Sequence, residues 1–194
     1  MITLPAAPKP NGLRYELLDY GFVQRGASSV RVNRAGSRWR LEISFPPMMP
    51  DTARTFLARL TRAKREGLQI ALPLLGVSQG SPGTPVVDGA GQAGAALALR
   101  GMTPGYQIKD GFWLTATETN GTAYLHQVAV AATVAGNGKA TVQIEPPLRA
   151  PFPDGATVQI AAPIVQGFVD GDSLGWDVPL NRMIAPSFVI EEFA

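Results

Sequence analysis

The stretch RWRLEISFPPMMPDTARTFLARLTRAKREGLQIALPLL, residues 38–75, sets the fold. Trp39, Leu41, Ile43 and Phe45 alternate with Arg38, Arg40, Glu42 and Ser44, the period-two pattern of a half-buried strand. Pro46, Pro47 and Pro50 end it. Asp51–Glu66 then predicts a helix. Phe56, Leu57, Leu60 and Ala63 form one apolar stripe, and Arg59, Arg62, Lys64 and Arg65 crowd the last turns, where cations suit the helix dipole. Asp51 is expected as the N-cap, and Gly67 as a left-handed cap. Leu68, Ile70, Leu72 and Leu74 alternate as a further strand.

Upstream, Ser28–Arg34 (SSVRVNR) predicts a short strand, joined to the 38–45 strand by a turn over Asn33–Ser37. Downstream, composition shifts at Gly76. Residues 76–94 are rich in Gly and small side chains and are expected as a long loop or extended arm. Strand patterns then follow closely at 95–100, 112–119, 123–133, 139–144 and 156–161, with Asn120-Gly121 and Asn137-Gly138 as tight-turn signals between them. They predict a small β-barrel or β-sandwich of about 85 residues. The pentapeptide Ala-Thr-Val-Gln-Ile occurs at both 140–144 and 156–160, which marks two strands with similar surroundings. Patterns at 164–169, 173–178 and 187–193 close the chain and are expected to return to the first domain, whose own strands are too few to close a sheet over one helix.

The fold class is therefore mainly β. A β-sandwich-like domain with one flanking helix spans 1–79 and 163–194, and a small β domain is inserted at 80–162. Composition agrees: of 194 residues, 21 are Gly and 17 Pro, which favours many short strands joined by turns. With no cysteine there is no disulfide framework, thiol nucleophile or cysteine zinc site, and a single histidine, His126, excludes His-pair metal sites. No apolar run reaches the roughly 20 residues of a membrane span. Residues 1–10 lack a signal-peptide pattern. The expectation is a soluble chain made in a cytoplasm.

Charge is uneven. Residues 1–75 carry 12 Lys/Arg against 5 Asp/Glu, a net of +7, and residues 76–194 carry 5 against 10, a net of −5. Three readings stand: a nucleic-acid surface, solvated faces of strands and helix, or a charged protein–protein interface. The interface reading singles out Arg31, Arg34, Arg38, Arg40, Arg59, Arg62, Glu191 and Glu192.

Chemical motifs are weak. Gly171-Asp172-Ser173-Leu174-Gly175 matches G-x-S-x-G, but a serine hydrolase needs a base. The only histidine precedes Ser173, and the following Trp176-Asp177-Val178-Pro179 is not the helix of a nucleophile elbow. A turn before a strand is the plainer reading. Gly136-Asn137-Gly138-Lys139 lacks the spacing of a phosphate loop. Asp170, Asp172 and Asp177 match no calcium loop. His126 is expected as a hydrogen-bonded structural residue. No cofactor or metal is expected.

Several blocks resemble one known family: Ile108-Lys109-Asp110-Gly111-Phe112-Trp113-Leu114, Tyr124-Leu125-His126-Gln127-Val128, Ile144-Glu145-Pro146-Pro147-Leu148-Arg149, Asp154-Gly155-Ala156-Thr157-Val158, and Pro186-Ser187-Phe188-Val189-Ile190-Glu191-Glu192. Their order resembles that of the distal tail proteins of long non-contractile-tailed bacteriophages. The resemblance covers most of the chain and is structural rather than chemical. It implies a hexameric ring in the virion, joining the tail tube to the tail-tip hub or baseplate and leaving a channel for DNA and the tape-measure protein. It also implies that 80–162 lies outside the ring, meeting other tip proteins or host surface glycan. Two other readings remain: a carbohydrate-binding module using Tyr106, Phe112, Trp113 or Tyr124, and an esterase using Ser173. A tube or hub component is the alternative within the leading class.

Overall fold

The computed structural model describes residues 1–26, 29–32 and 36–193, except the side chains of 31 and 32. In chain order the strands are β1 (Ile2–Thr3), β2 (Gly12–Leu18), β3 (Phe22–Gln24), β4 (Val30–Val32) and β5 (Arg38–Ser44), followed by helix α1 (Pro50–Glu66). Then come β6 (Leu68–Ala71), β7 (Gly83–Val87), β8 (Gln92–Met102), β9 (Gln107–Ile108), β10 (Trp113–Thr117), β11 (Ala123–Val130), β12 (Ala132–Thr133), β13 (Ala140–Phe152), β14 (Val158–Gln159), β15 (Ile164–Val169) and β16 (Ser187–Glu192). The protein is mainly β with one helix among the described residues.

The chain divides into two units. The first takes Met1–Leu17, Trp39–Val77 and Val165–Phe193, and the second takes Leu18–Arg38 and Ser78–Ile164. The expected domain 1–79 is thus interrupted, and the boundaries fall at 77/78 and 164/165 rather than 79/80 and 162/163. The reason for the interruption is pairing: β3 and β4 form their own two-stranded sheet and join neither six-stranded sheet. Of the expected 28–34 strand and 33–37 turn, Ser28, Asn33, Arg34 and Ala35 lie outside the described residues.

In the first unit six strands run in the order β1-β6-β15-β16-β5-β2. On β5 the alternation holds, with Leu41 and Ile43 buried between Arg40, Glu42 and Ser44. Ala53, Phe56, Leu57, Leu60 and Ala63 form the buried stripe of α1. The Phe45 ring meets Phe56 edge-on with centroids 4.7 Å apart, and stacks on Phe188 at 6.0 Å, which ties helix, β5 and β16 together. The helix starts one residue earlier than expected. Met49 is its N-cap, without a side-chain cap bond, and Pro50 sits inside the first turn. Asp51 therefore lies inside the first turn, where its charge suits the helix dipole but where it cannot be the N-cap. Gly67 has φ 80° but ψ 154°, so it is not a left-handed helical cap; its amide still closes onto the Ala63 carbonyl at 2.8 Å. Leu72 and Leu74 lie beyond β6, which ends at Ala71 before Pro73.

In the second unit six strands run in the order β14-β10-β11-β13-β8-β7, and a bridge between Val86 and Thr157 nearly closes them into a barrel. The supposed loop 76–94 therefore contains β7, a short strand. Leu97, Leu99, Leu114, Val142, Ile144, Phe152 and Ile160 fill the interior. In both copies of Ala-Thr-Val-Gln-Ile the Val and the Ile are buried.

His126 belongs to this core and has no exposed surface. Its Nδ1–H donates to the Pro146 carbonyl at 2.7 Å, and Nε2 is buried with no hydrogen-bond partner among the described residues. Burial pushes its pKa down to about 4 from 6.5, against the smaller upward pull of the Pro146 bond. The folded imidazole resists protonation while the unfolded one accepts it. The contribution of this histidine to stability is therefore full above about pH 6.5, falls as pH drops toward 4, and levels off below. The loss is about 3 kcal/mol. Urea unfolding of the wild type and His126→Gln between pH 7 and 4 checks this, with a shallower decline expected for the variant.

Candidate protein interface

One face of the first sheet packs on α1. The opposite face carries charge where β5 and β16 turn Arg40, Glu42 and Glu191 away from the core, and β2, exposed from Arg14 to Leu17, lies beside β5. Arg14, Glu16, Arg40, Glu42 and Val189 surround a shallow depression of about 170 Å³ on that face. Arg40 is its centre. Its guanidinium donates to Asp170 at 2.6 and 2.9 Å and to Glu16 at 3.1 Å, and its Cα partner on β16 is Glu191. The Arg40 hydrogen bonds, helped by the Gly171 amide, hold the Asp170 carboxyl below its usual range.

The second charged surface is the outer side of α1. Arg54, Arg59, Arg62 and Arg65 are exposed there. Arg62 and Arg65 both bond Glu66, at 2.9 and 2.7 Å, and pull its pKa down to about 2. Arg59 donates to the Thr3 carbonyl at 3.3 Å. Arg54 and Asp51 stand 3.6 Å apart with both side chains almost wholly in water, a geometry of little energetic weight. Beside the helix runs the segment 170–186. Leu57, Ala58 and Thr61, with Trp176 and Ile184 from that segment and Arg54 at the edge, line a groove of about 380 Å³.

The structure thus spreads the eight expected interface residues over different settings. Arg40, Arg59 and Arg62 stand on surfaces of the first unit, engaged by neighbours of their own chain. Glu191 is half-buried on the charged sheet face. Arg38 lies 5.2 Å from the centre of the Tyr20 ring, a cation–π distance. Arg34 and the Arg31 side chain lie outside the described residues. Glu192 is a correction: it is 3% exposed, and its carboxylate accepts the Trp39 backbone N–H at 2.7 Å. Alternation along β16 turns Phe188, Ile190 and Glu192 toward the core, so this charge is structural.

The sequence pattern at 173–178 forms no strand, and Ser173 lies in an exposed irregular stretch. With His126 sealed in the barrel core, Ser173 has no histidine to take its proton. The aromatics that a sugar site would need are also committed. Trp113 is 7% exposed, Phe112 and Tyr124 are buried, and Tyr106 is half-buried with its hydroxyl bonded to the Gln79 carbonyl. Gln79 is a residue that sequence reasoning passed over. Buried at the edge of β10, its side-chain amide accepts the Trp113 N–H at 2.5 Å and donates to the carbonyls of Trp113, at 2.8 Å, and Ile160. It stands in for a peptide group, and nothing in its flanking Ser78 and Gly80 signals that. Among the described residues no three His, Asp or Glu side chains gather as a metal site.

No protein-family model matches the chain, and no curated protein is similar enough to count as a relative.

Removing the buried carboxylate in Glu192→Ala takes an acceptor from the Trp39 N–H and should cost about 1–3 kcal/mol. Glu191→Ala, on the solvent side of the same strand, should cost no more than about 1 kcal/mol. Denaturant titration of both variants, followed by tryptophan fluorescence, checks the contrast.

Proposed function

We propose that this chain is a structural protein of a phage virion, forming a ring, six copies round, that joins the tail tube to the tail-tip hub in the manner of the distal tail proteins its sequence resembles. The observation that carries the reading is the division of the chain. A sheet-and-helix unit assembled from three separated segments is interrupted by a barrel unit with its own filled core. That construction suits a protein whose work is to hold surfaces in place: one body to meet its own copies, a second to meet other tip proteins. The polar side chains described above form ion pairs and bridges, and none converge as nucleophile, base and oxyanion donors. On this reading DNA and the tape-measure protein pass through the ring, and no cofactor takes part.

A closed head-to-tail ring uses two different patches on each copy. The exposed arginines of α1 and the acidic groups elsewhere on the chain supply complementary charge for setting the order of subunits. The sugar-binding alternative loses support because its aromatic residues are core residues.

Light scattering after size exclusion, with negative-stain images of the same peak, tests the proposal. Six copies of a 20.5 kDa chain give about 123 kDa and an open centre. A particle that stays at one chain's mass and shows no ring contradicts it. Assembly should weaken in molar salt, where the Debye length shrinks to about 3 Å.

A further inference from the structure

The segment after β15 carries an unspent strand pattern. Leu174, Trp176, Val178 and Leu180 fall on every second residue, so they share one face of an extended chain. In the folded chain that face is used only at its start. Leu174 is half-buried and Trp176 lies along α1, whereas Val178 is 64% exposed and Leu180 is entirely exposed. Leu180 is also held where it is. Arg182 N–H donates to the Pro179 carbonyl at 2.8 Å, Met183 N–H donates to Asn181 Oδ1 at 3.0 Å, and Arg182 adopts φ 59°. A left-handed non-glycine residue is uncommon and carries strain, so the turn is a built feature that presents a leucine to water.

The same chain offers a place for it. The groove on α1 has an apolar floor of Leu57 and Ala58, and Arg54 stands at its edge. Charges match as well. Residues 170–181 carry Asp170, Asp172 and Asp177 and no Lys or Arg, while α1 exposes Arg54, Arg59, Arg62 and Arg65. Asp177 makes no ion pair among the described residues, and the Asp51 contact of Arg54 is loose and solvated.

We propose that the occupant of this groove is a second copy of the chain. Val178, Pro179 and Leu180 of one copy seat against Leu57 and Ala58 of the next, and Asp177 pairs with Arg54. The inference rests on the self-assembly reading above and deepens it by naming the contact. A tip and a groove on one chain can repeat head to tail around a ring, which is the arrangement that closes without an open filament.

The test is solution mass by light scattering, with thermal melts to show that each variant folds. Leu180→Asp should reduce the assembly to the 20.5 kDa chain while still melting in one cooperative step, lowered only by the loss of association. Arg54→Asp and Asp177→Arg should each lose assembly alone, and an equal mixture of the two should regain it, because each supplies the half that the other lacks. Wild-type mass retained by Leu180→Asp overturns the contact and leaves the ring reading standing. A wild-type dimer of about 41 kDa that Leu180→Asp abolishes supports the contact and overturns the ring. A wild-type chain that stays single at every concentration overturns both.

Discussion

Everything in the first unit depends on β16 lying in the middle of its sheet. This short strand, two residues from the last residue of the chain, pairs with β15 on one side, through Gly167–Glu192 to Val169–Ile190, and with β5 on the other, from Ser187–Ser44 to Glu191–Arg40. Without it the sheet falls into two pieces, β1-β6-β15 and β5-β2. The fit is close. A Cβ placed on Gly167 would lie 1.9 Å from the Glu191 carbonyl oxygen, so only glycine lets the two backbones approach. Phe188 and Ile190 then reach the core beneath α1, and Glu192 reaches the Trp39 amide. Three segments far apart in sequence become one body because the terminal strand bonds both ways.

The second unit is built on another principle. Its hairpins β7–β8 and β10–β11 are joined by the long-range pairs β8–β13 and β10–β14, the Val86–Thr157 bridge nearly closes the sheet, and buried apolar side chains fill its interior. Its buried cluster runs from Val87 and Leu97 through Leu114 and Ile144 to Phe152 and Ile160. Its polar groups serve the fold: Gln79 replaces a missing strand partner, and Arg100 links Asp88 and Asp154 where the Gly89 amide also bonds Asp154.

Much of this was readable in the residues where burial and periodicity coincide. The alternation around Leu41 and Ile43, the stripe of α1 and the terminal strands at 164–169 and 187–192 each report one buried face, and one face is what a period of two or 3.6 encodes. The misreadings share a cause. Period two shows that a strand has a buried face but not what covers it, so 173–178 was expected as a strand although no neighbour pairs with it within the chain. β7 is short and turns Pro85 and Val87 inward, and a proline with one following pair of valines is too brief a signal to show a period. Charge signals solvent, so Glu192 was expected on a surface, although its position in register with Phe188 and Ile190 turns it inward. The candidate interface was legible as a surplus of arginine. Its geometry was not, because the pairing of Arg40 with Glu16 and Asp170 exists only once the sheet has formed.

The place of β16 is the claim that most exposes this account to contradiction. A strand that joins the two halves of a sheet opens only when the sheet opens. Native-state hydrogen exchange resolved by residue should put the Phe188–Glu192 amides in the slowest class of the first unit, opening together with Leu41 and Ile43. If those terminal amides exchange fast while β5 stays protected, β16 is an ornament on a sheet that stands without it, and the account is wrong.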